Sequence, residues 1–526
     1  MNEEKLHVTL GEILYWLFFG SLFLAKGLGL YDGQAVFKLI LVFAVGCLFL
    51  KLCIEKYTIG EYFRILFVVL LTGITYLNSG EKGLLLCGLM MIGMKYVDMK
   101  RVFQIGTVIW TMSFLFITCS SLFHMEDTVF KIHDKLGLGH IFRWSLGYPH
   151  PNVLQVSYFI LAILVIYVLG DRFRPRHALW LLGGNLLIFI YSVSYTGFIV
   201  FMVLILGRLY LYYRKRLCIL EKGLLFLIYP VCVLLSLLAP IKIRGELFLF
   251  LNKLLSTRME LGWRYLKPEN YTLFGLRVAE ITDASHTMDN AYLFAFIAYG
   301  IIPFAILSLG ILYAIYRFLK KDQYLEVLII ISIIVGGLTE PFLFNTSFKN
   351  LAFLFGGTLL FGNAKGKREF ALAPKWNKEI VLPVSKLEET ASRAKEVLSL
   401  SKGKCIVGIV TAVVCCVAVQ LLVTYPKGYV FHREVCADIT KDFKYYEEEN
   451  PDYAEYKRMG SFEQGDEIEY FSGNIVKVEQ ARSIVISMVL GYAVGFILTG
   501  CLTTVGSREN RDERKVLNGE QQRSKN

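Results

Sequence analysis

Long apolar segments alternate with short charged ones along most of the chain. Fourteen apolar segments approach the roughly 20 residues that a helix needs to cross a bilayer. They are predicted at 11–30, 35–54, 62–78, 83–97, 102–123, 152–170, 178–192, 194–212, 223–240, 289–316, 325–341, 350–362, 403–424 and 483–504. The pattern therefore predicts an all-α, polytopic helical membrane protein with about 14 transmembrane helices.

Composition and cysteine content favour the same class of protein. Hydrophobic residues make up 55% of the 526 residues and charged residues only 19%, whereas a soluble protein of this length needs more polar surface. The 11 cysteines contain no Cys-x-x-Cys pair, so neither a disulfide framework nor a zinc site is predicted. The acidic amino-terminal segment lacks the small-residue cleavage site of a signal peptide, which predicts that the first span is an anchor.

The distribution of charge predicts an orientation in the membrane. The net charge is +12, but the basic residues lie in alternate loops between apolar segments, which favours topology signals over nucleic-acid binding. The positive-inside rule places these loops, the charged linker 363–402 and the basic tail 505–526 in the cytoplasm. Both termini are then cytoplasmic, as an even number of spans requires. The segments 124–151, 241–288 and 425–482 are expected on the outer face.

The predicted domains differ in their external loops. A domain of about 12 spans covers 1–362, and a two-span module covers 403–504 with the acidic external loop 425–482. The large loop 241–288 is instead basic. Either its cations bind a ligand, or a long loop crosses the membrane whatever its charge. Leucines and a phenylalanine at helical spacing over 247–255 predict an interfacial helix, which could hold a lipid-linked anion or act as a lid.

One polar segment precedes the span that starts near Asn152. It contains Arg143, and two prolines flank His150 and hold the chain in an extended form. A cation, an imidazole and an amide are thus placed at a helix N-terminus, which favours anions. The alternative is a well-capped helix start with an interfacial arginine.

A second group of polar residues lies in the large loop and at the start of the next span. His286 and Asp289 are one helical turn apart, and a carboxylate beside an imidazole is a workable general base. Arg258 and Arg264 suit a diphosphate. In the alternative interpretation, these residues form an ordinary polar helix cap with snorkelling cations, and they have no catalytic role.

Two further polar sites interrupt apolar segments. Glu340 lies near the outer end of a span, where an ionisable residue is functional by default in a membrane protein; an interfacial carboxylate in water is the alternative. The hydroxyl-rich segment 191–198 also reaches the outer face. Serine and threonine in such helices mostly bond their own backbone, which favours a structural role there.

Together these motifs resemble those of the bacterial O-antigen polymerase and ligase superfamily, and most closely those of Wzy-type capsular and exopolysaccharide repeat-unit polymerases. The segment from Arg143 to Asn152 is similar to the family's Arg-x-x-x-Gly-Phe-x-His-Pro-Asn, with tyrosine in the Phe position. Asp289-Asn290-Ala-Tyr-Leu resembles the family's Asp-Asn-x-Tyr opening of the span after the large loop, and Arg258 followed by Phe-Gly resembles its loop pattern. The chain departs from the family at Tyr195, where Ser-x-Ser-Arg-Thr-Gly has arginine.

The resemblance implies glycosyl transfer on the outer face of the bacterial cytoplasmic membrane. The substrates would be oligosaccharide repeat units on undecaprenyl diphosphate, with a flippase and a chain-length regulator as further partners. Because a diphosphate lipid is already a good leaving group, a metal-independent glycosyltransferase without a cofactor is expected. A ligase that moves finished polymer, or a polysaccharide flippase or transporter, is the alternative.

The resemblance also implies roles for individual residues. His286 or Asp289 would be the catalytic base. The expected substrate- and diphosphate-binding residues are Arg143, His150, Asn152, Arg258, Arg264, Asn290 and Glu340.

Overall fold

The computed structural model describes most of the chain. The described residues are 5–30, 33–123, 130–134, 140–254, 258–278, 281, 288–341, 350–361, 369–383, 401–425, 429–434, 467–472 and 476–500. They divide into two compact units, a main unit formed by 6–128 and 145–382 and a second unit formed by 1–5, 129–144 and 383–526.

Ten helices in the described part of the chain are long and apolar enough to cross a membrane. They are Leu10–Gly27, Ala35–Ile54, Ile59–Ser79, Met99–Ser121, Pro151–Arg172, Tyr195–Tyr213, Ile219–Leu237, Ile301–Lys320, Gly403–Leu422 and Val476–Gly500. The architecture is thus that of a multi-pass, helical membrane protein. The count of fourteen spans and the orientation of the termini stay predictions.

The helices follow one another in chain order, with few strands between them. In the main unit they are α1 (Leu10–Gly27), α2 (Ala35–Ile54), α3 (Ile59–Ser79), α4 (Gly83–Ile92), α5 (Met99–Phe123), α6 (Pro151–Leu169), α7 (Pro175–Ser192), α8 (Tyr195–Tyr213), α9 (Ile219–Leu237), α10 (Ala239–Lys242), α11 (Glu246–Leu254), α12 (Arg258–Tyr265), α13 (Ala291–Phe294), α14 (Ile301–Lys320), α15 (Tyr324–Gly336) and α16 (Ala352–Leu360). Helix α11 lies where an amphipathic helix was predicted, although its position in a membrane is not tested. The strands β1 (Lys5–Thr9) and β4 (Glu379–Pro383) pair with each other.

Aromatic side chains fill the core of the main unit. Helix α1 packs against α2 and α5, α5 packs against α6, and α8 packs against α15. The rings of Phe23 and Trp110 lie 4.6 Å apart between α1 and α5. The Trp110 indole N–H donates to the Ser157 carbonyl on α6 at 2.9 Å, so one side chain joins the apolar core and satisfies a buried donor.

Buried charges connect the helix ends at the side of the main unit that is predicted to be cytoplasmic. The Lys95 ammonium donates to Glu61 at 2.6 Å and to Glu369 at 3.0 Å, and it is almost fully buried. Lys51 is also buried and donates to the Lys95 carbonyl. Because a charge that loses water needs partners, these contacts fix the ends of α2, α3 and α4 and the chain after residue 368 relative to one another.

The predicted span 289–316 is interrupted. It consists of α13, one turn of π-helix (Ala295–Tyr299) and α14, with Gly300 between them at φ 87° and ψ 171°. The N–H groups of Ile301 and Ile302 bond to the carbonyls of Thr272 and Leu273, at 2.9 and 3.1 Å. The loop before α13 therefore caps the start of α14 and supplies acceptors that a continuous helix would have provided internally.

The described residues of the second unit form two helices and two hairpins. Strands β2 (Phe130–Asp134) and β3 (His140–Trp144) pair antiparallel, as do β5 (Tyr429–Glu434) and β6 (Glu467–Ser472). Helix α17 (Lys402–Leu422) packs against α18 (Val476–Gly500). The Thr411 hydroxyl donates to the Gly491 carbonyl at 2.8 Å, and a Cβ on Gly491 would lie 2.7 Å from the Thr411 carbonyl oxygen. Glycine thus permits the close helix contact that is common in membranes.

Replacing Gly300 with alanine is expected to destabilise the main unit. Its backbone conformation is accessible almost only to glycine, at a cost of about 1–3 kcal/mol for other residues, and a Cβ would lie 2.7 Å from the Phe274 nitrogen. Thermal unfolding of the purified protein in one detergent would show a lower midpoint for Gly300→Ala. The matched control is Gly46→Ala in the interior of α2, where no atom lies within 4 Å of the new Cβ; there the midpoint is expected to stay or rise. Equal midpoints for the two variants would contradict the structural role of Gly300.

The predicted orientation can be tested with an impermeant maleimide on intact cells. A cysteine at exposed Lys267, in the loop predicted to be external, is expected to react at once. The native Cys218 is exposed between α8 and α9, in a loop predicted to be cytoplasmic, and should react only after the membrane is opened. Peptide mass mapping identifies the labelled cysteine. Labelling of Cys218 in intact cells would show that the predicted orientation is wrong.

Candidate functional site

Polar side chains from five chain segments meet at the ends of apolar helices in the main unit. The segments are the starts of α6, α8 and α12, residues 288–290 before α13, and residues 337–340 after α15. We call these residues the polar cluster; its side chains are Asn152, Thr196, Arg258, Asp289, Asn290 and Glu340.

The start of α6 places the first member of the cluster. His150 is the N-cap residue, and its Nδ1 accepts the Asn152 N–H at 3.0 Å, while Pro151 occupies the first helical turn. The Asn152 side-chain amide then donates to Glu340 Oε1 at 2.8 Å. The segment is thus a helix cap, and it also directs an amide at a carboxylate. The two interpretations of this motif are compatible.

Glu340 receives a second donor from another helix. The Thr196 hydroxyl, in the first turn of α8, reaches the same Oε1 at 3.4 Å. Burial disfavours the ionised carboxylate and raises the pKa of Glu340 to about 7. The positive charge of Arg258 acts in the opposite direction, and the negative charge of Asp289 adds to the rise. Glu340 therefore titrates near neutral pH.

Arg258 connects the large loop to two other segments. Its Nε and Nη2 donate to the Thr339 carbonyl at 3.1 and 2.6 Å, and Nη2 also lies 3.3 Å from Asp289 Oδ2. The Arg258 side chain is only 8% exposed, whereas Asp289 is 39% exposed. The guanidinium is thus enclosed, while the carboxylate beside it is open to solvent.

Asn290 has a structural role in the cluster. Its side-chain oxygen accepts the N–H groups of Tyr292 and Leu293 at 3.0 Å and so caps α13. Its amide donates to the Ser236 hydroxyl and to the Leu338 carbonyl. These contacts fix the start of α13 against α9 and the chain after α15.

The remaining predicted site residues are Arg264, Arg143 and His286. Arg264 pairs with Glu260 at 2.7 Å on the same helix and is 38% exposed. Arg143 lies on β3 in the second unit, opposite Lys131, and stays a prediction. His286 lies outside the described residues, and its assignment as a base is therefore not tested.

Sequence reasoning missed two features of the site. Thr196 was assigned to a structural segment, because its hydroxyl was expected to bond to its own helix. The carbonyls after α15 carry no side-chain signal at all, and only the glycines at positions 336 and 337 mark the end of that helix.

A buried layer of amides and hydroxyls supports Thr196 and Asn152. The Gln155 side chain, one turn after Asn152, donates to Asn185 at 2.5 Å and accepts from the Ser192 hydroxyl at 2.7 Å. All three residues are fully buried. Such a network fixes α6 against α7. The Ser192 hydroxyl also accepts the N–H of Ser194, the N-cap residue of α8, at 3.3 Å, so the network reaches the segments that carry both donors to Glu340.

The cluster offers a cation, two carboxylates and an amide, which suits acid–base chemistry beside an anion. Within the described ranges, no group of three or more His, Cys, Asp or Glu side chains could hold a metal ion. Comparison with known proteins found no matching family model, curated protein or solved structure.

The geometry predicts different stability effects for the two loop arginines. Arg258→Met would leave the Thr339 carbonyl and Asp289 without this partner, and a buried acceptor left unsatisfied costs about 1–3 kcal/mol. Arg264→Met removes an ion pair whose arginine is 38% exposed, and a pair with such a solvent-exposed partner contributes about 0–1 kcal/mol. Thermal unfolding in one detergent should therefore show a large drop for Arg258→Met and little change for Arg264→Met. A drop of the same size in both variants would contradict the buried role of Arg258.

Proposed function

We propose that the protein polymerises oligosaccharide repeat units linked to undecaprenyl diphosphate into capsular or exopolysaccharide. The reaction would take place on the outer face of the bacterial cytoplasmic membrane. One observation carries this proposal: residues from separate family-like motifs, Asn152, Arg258 and Asp289, lie in one cluster with Glu340.

This convergence supports the proposal because the motifs are far apart in the sequence. Asn152 and Glu340 are 188 positions apart, and Arg258 and Asp289 are 31 apart. Residues that resemble a family's motifs by chance have no reason to meet in space. Glycosyl transfer from a lipid diphosphate needs a cation for the leaving group and a base for the acceptor, and the cluster contains both kinds of group.

An apolar cavity of about 300 Å³ lies between α3, α4, α14, α15 and α16. Its walls include Ile334 and Asn350, and its outer residues Phe67 and Tyr313 are half exposed. Ile334 is in the last turns of α15, the helix whose end leads to Glu340. A lipid-linked substrate needs such an apolar groove beside a polar reaction site, so the cavity suits the hydrocarbon part of the substrate.

The proposed reaction assigns a role to each charge. The acceptor hydroxyl attacks C1 of the donor sugar, the bond from C1 to the diphosphate oxygen breaks, and the hydroxyl proton passes to a base. Arg258 would stabilise the negative charge that grows on the diphosphate. Such stabilisation is strongest at a site that excludes water.

Deletion of the gene tests the proposal directly. Lipid-linked and surface glycans would be separated by length, and repeat units on the outer face would be labelled with an impermeant probe. Loss of polymer with single repeats accumulating outside is the expected result, and reintroduction of the wild-type gene should restore polymer. Single repeats trapped inside would instead indicate a flippase, and long polymer retained on its lipid would indicate a ligase.

A further inference from the structure

We propose that Glu340 is the base that accepts the proton of the acceptor hydroxyl, rather than Asp289. The inference rests on the proposed function and names a catalytic residue of the same site. It assigns Glu340 to proton transfer instead of to diphosphate binding, for which a carboxylate is electrostatically unsuited.

The Glu340 carboxylate is held in one orientation. Asn152 and Thr196, on two different helices, both donate to Oε1. Among the described residues no donor reaches Oε2, so the second oxygen can accept a new proton without breaking either bond. A base that is fixed through one oxygen and open at the other meets the geometric requirement for general-base catalysis.

Asp289 is placed differently. Its carboxylate lies 3.3 Å from the Arg258 guanidinium and is its ion-pair partner. Protonation of Asp289 would remove the ion pair that fixes Arg258. Asp289 therefore serves as a positioning residue for Arg258 in this assignment.

The charges around Glu340 agree with its role. The charged groups of the described residues that act on it are Arg258 and Asp289, from the loop and from the start of α13. His150 caps α6 through Nδ1 next to Asn152. With a pKa of about 7, Glu340 becomes largely ionised as the pH rises above neutral, and it binds a proton strongly enough to assist the reaction.

The proton-transfer step is balanced. The acceptor O–H bond breaks as its oxygen forms the bond to C1 of the donor sugar, and the proton moves to Glu340 Oε2. The electron pair of the broken C1–O bond leaves with the diphosphate, next to Arg258. Glu340 then returns the proton to water or to the departing diphosphate before the next cycle.

The test measures elongation by the full-length protein in lipid vesicles, with lipid-linked repeat units as the substrate. Glu340→Gln is the critical variant, because the amide oxygen can still accept from Asn152 and Thr196 while the basic oxygen is lost. A general base contributes about 10²- to 10⁴-fold to the rate. The expected result is a rate loss of at least about 100-fold, with unchanged donor binding and an unchanged midpoint of thermal unfolding.

The pH dependence gives a readout that a purely structural role would not affect. Because the ionised carboxylate is the active form, the wild-type rate should rise as pH increases through about 7 and then level off. Glu340→Asp should keep this rising limb at a lower rate. The residual activity of Glu340→Gln should lack it, and added formate should partly restore the rate of Glu340→Ala.

Asp289→Asn is the matched control. It removes the other carboxylate, and the expected result is weaker donor binding with the rising pH limb intact. Wild-type elongation by Glu340→Gln, or loss of the pH limb in Asp289→Asn but not in Glu340→Gln, would overturn the assignment. If wild-type protein forms no polymer from intact lipid-linked units, the proposed function itself fails, and this inference fails with it.

Discussion

The contact of Arg258 with the chain after α15 is the interaction on which the rest of the site depends. The carbonyls at the end of a helix have no partner within it, and in apolar surroundings each unsatisfied group costs several kcal/mol. Here three successive carbonyls receive donors: Gly337 from the Ala291 N–H, Leu338 from the Asn290 amide, and Thr339 from Arg258. The first role of the polar cluster is therefore to supply donors to the backbone carbonyls that directly follow α15.

The chemistry of the site follows from this backbone requirement. Glu340 directly follows the last of the three carbonyls, so the same donors that fix residues 337–339 also determine where its carboxylate lies. Arg258 donates to a carbonyl, which places its charge at this point, and Asp289 is its counter-ion. A cation and two carboxylates with different surroundings thus arise at one point, and different surroundings are what separate the pKa values of paired acidic groups.

Local sequence signals were sufficient for many of the helices but not for the break before α14. The predicted segment 35–54 coincides with the helix Ala35–Ile54. Helix α3 begins three residues before the predicted 62, because Thr58 and Glu61 form a capping box ahead of the apolar stretch. Gly300 lies in an apolar segment, and because glycine is common in membrane helices, its presence there does not indicate a break. Its unusual conformation depends on a contact with Phe274 and Gly275, and no local pattern contains that information.

The sequence predicted which types of residue form the site, but not how these residues are arranged in space. Motif resemblance pointed to Asn152, Arg258 and Asp289, but the partner of each lies on another segment, and Thr196 was missed because hydroxyls in such segments mostly bond their own backbone. The sequence also posed a choice between a helix cap and a functional site for the segment before α6; the structure shows the cap, and the functional role stays a proposal. The His150 ring uses Nδ1 to cap α6, and in doing so it fixes the turn from which Asn152 reaches Glu340. In apolar surroundings an unpaired polar group is costly, so a residue that satisfies the backbone and a residue that arranges the chemistry can be the same one.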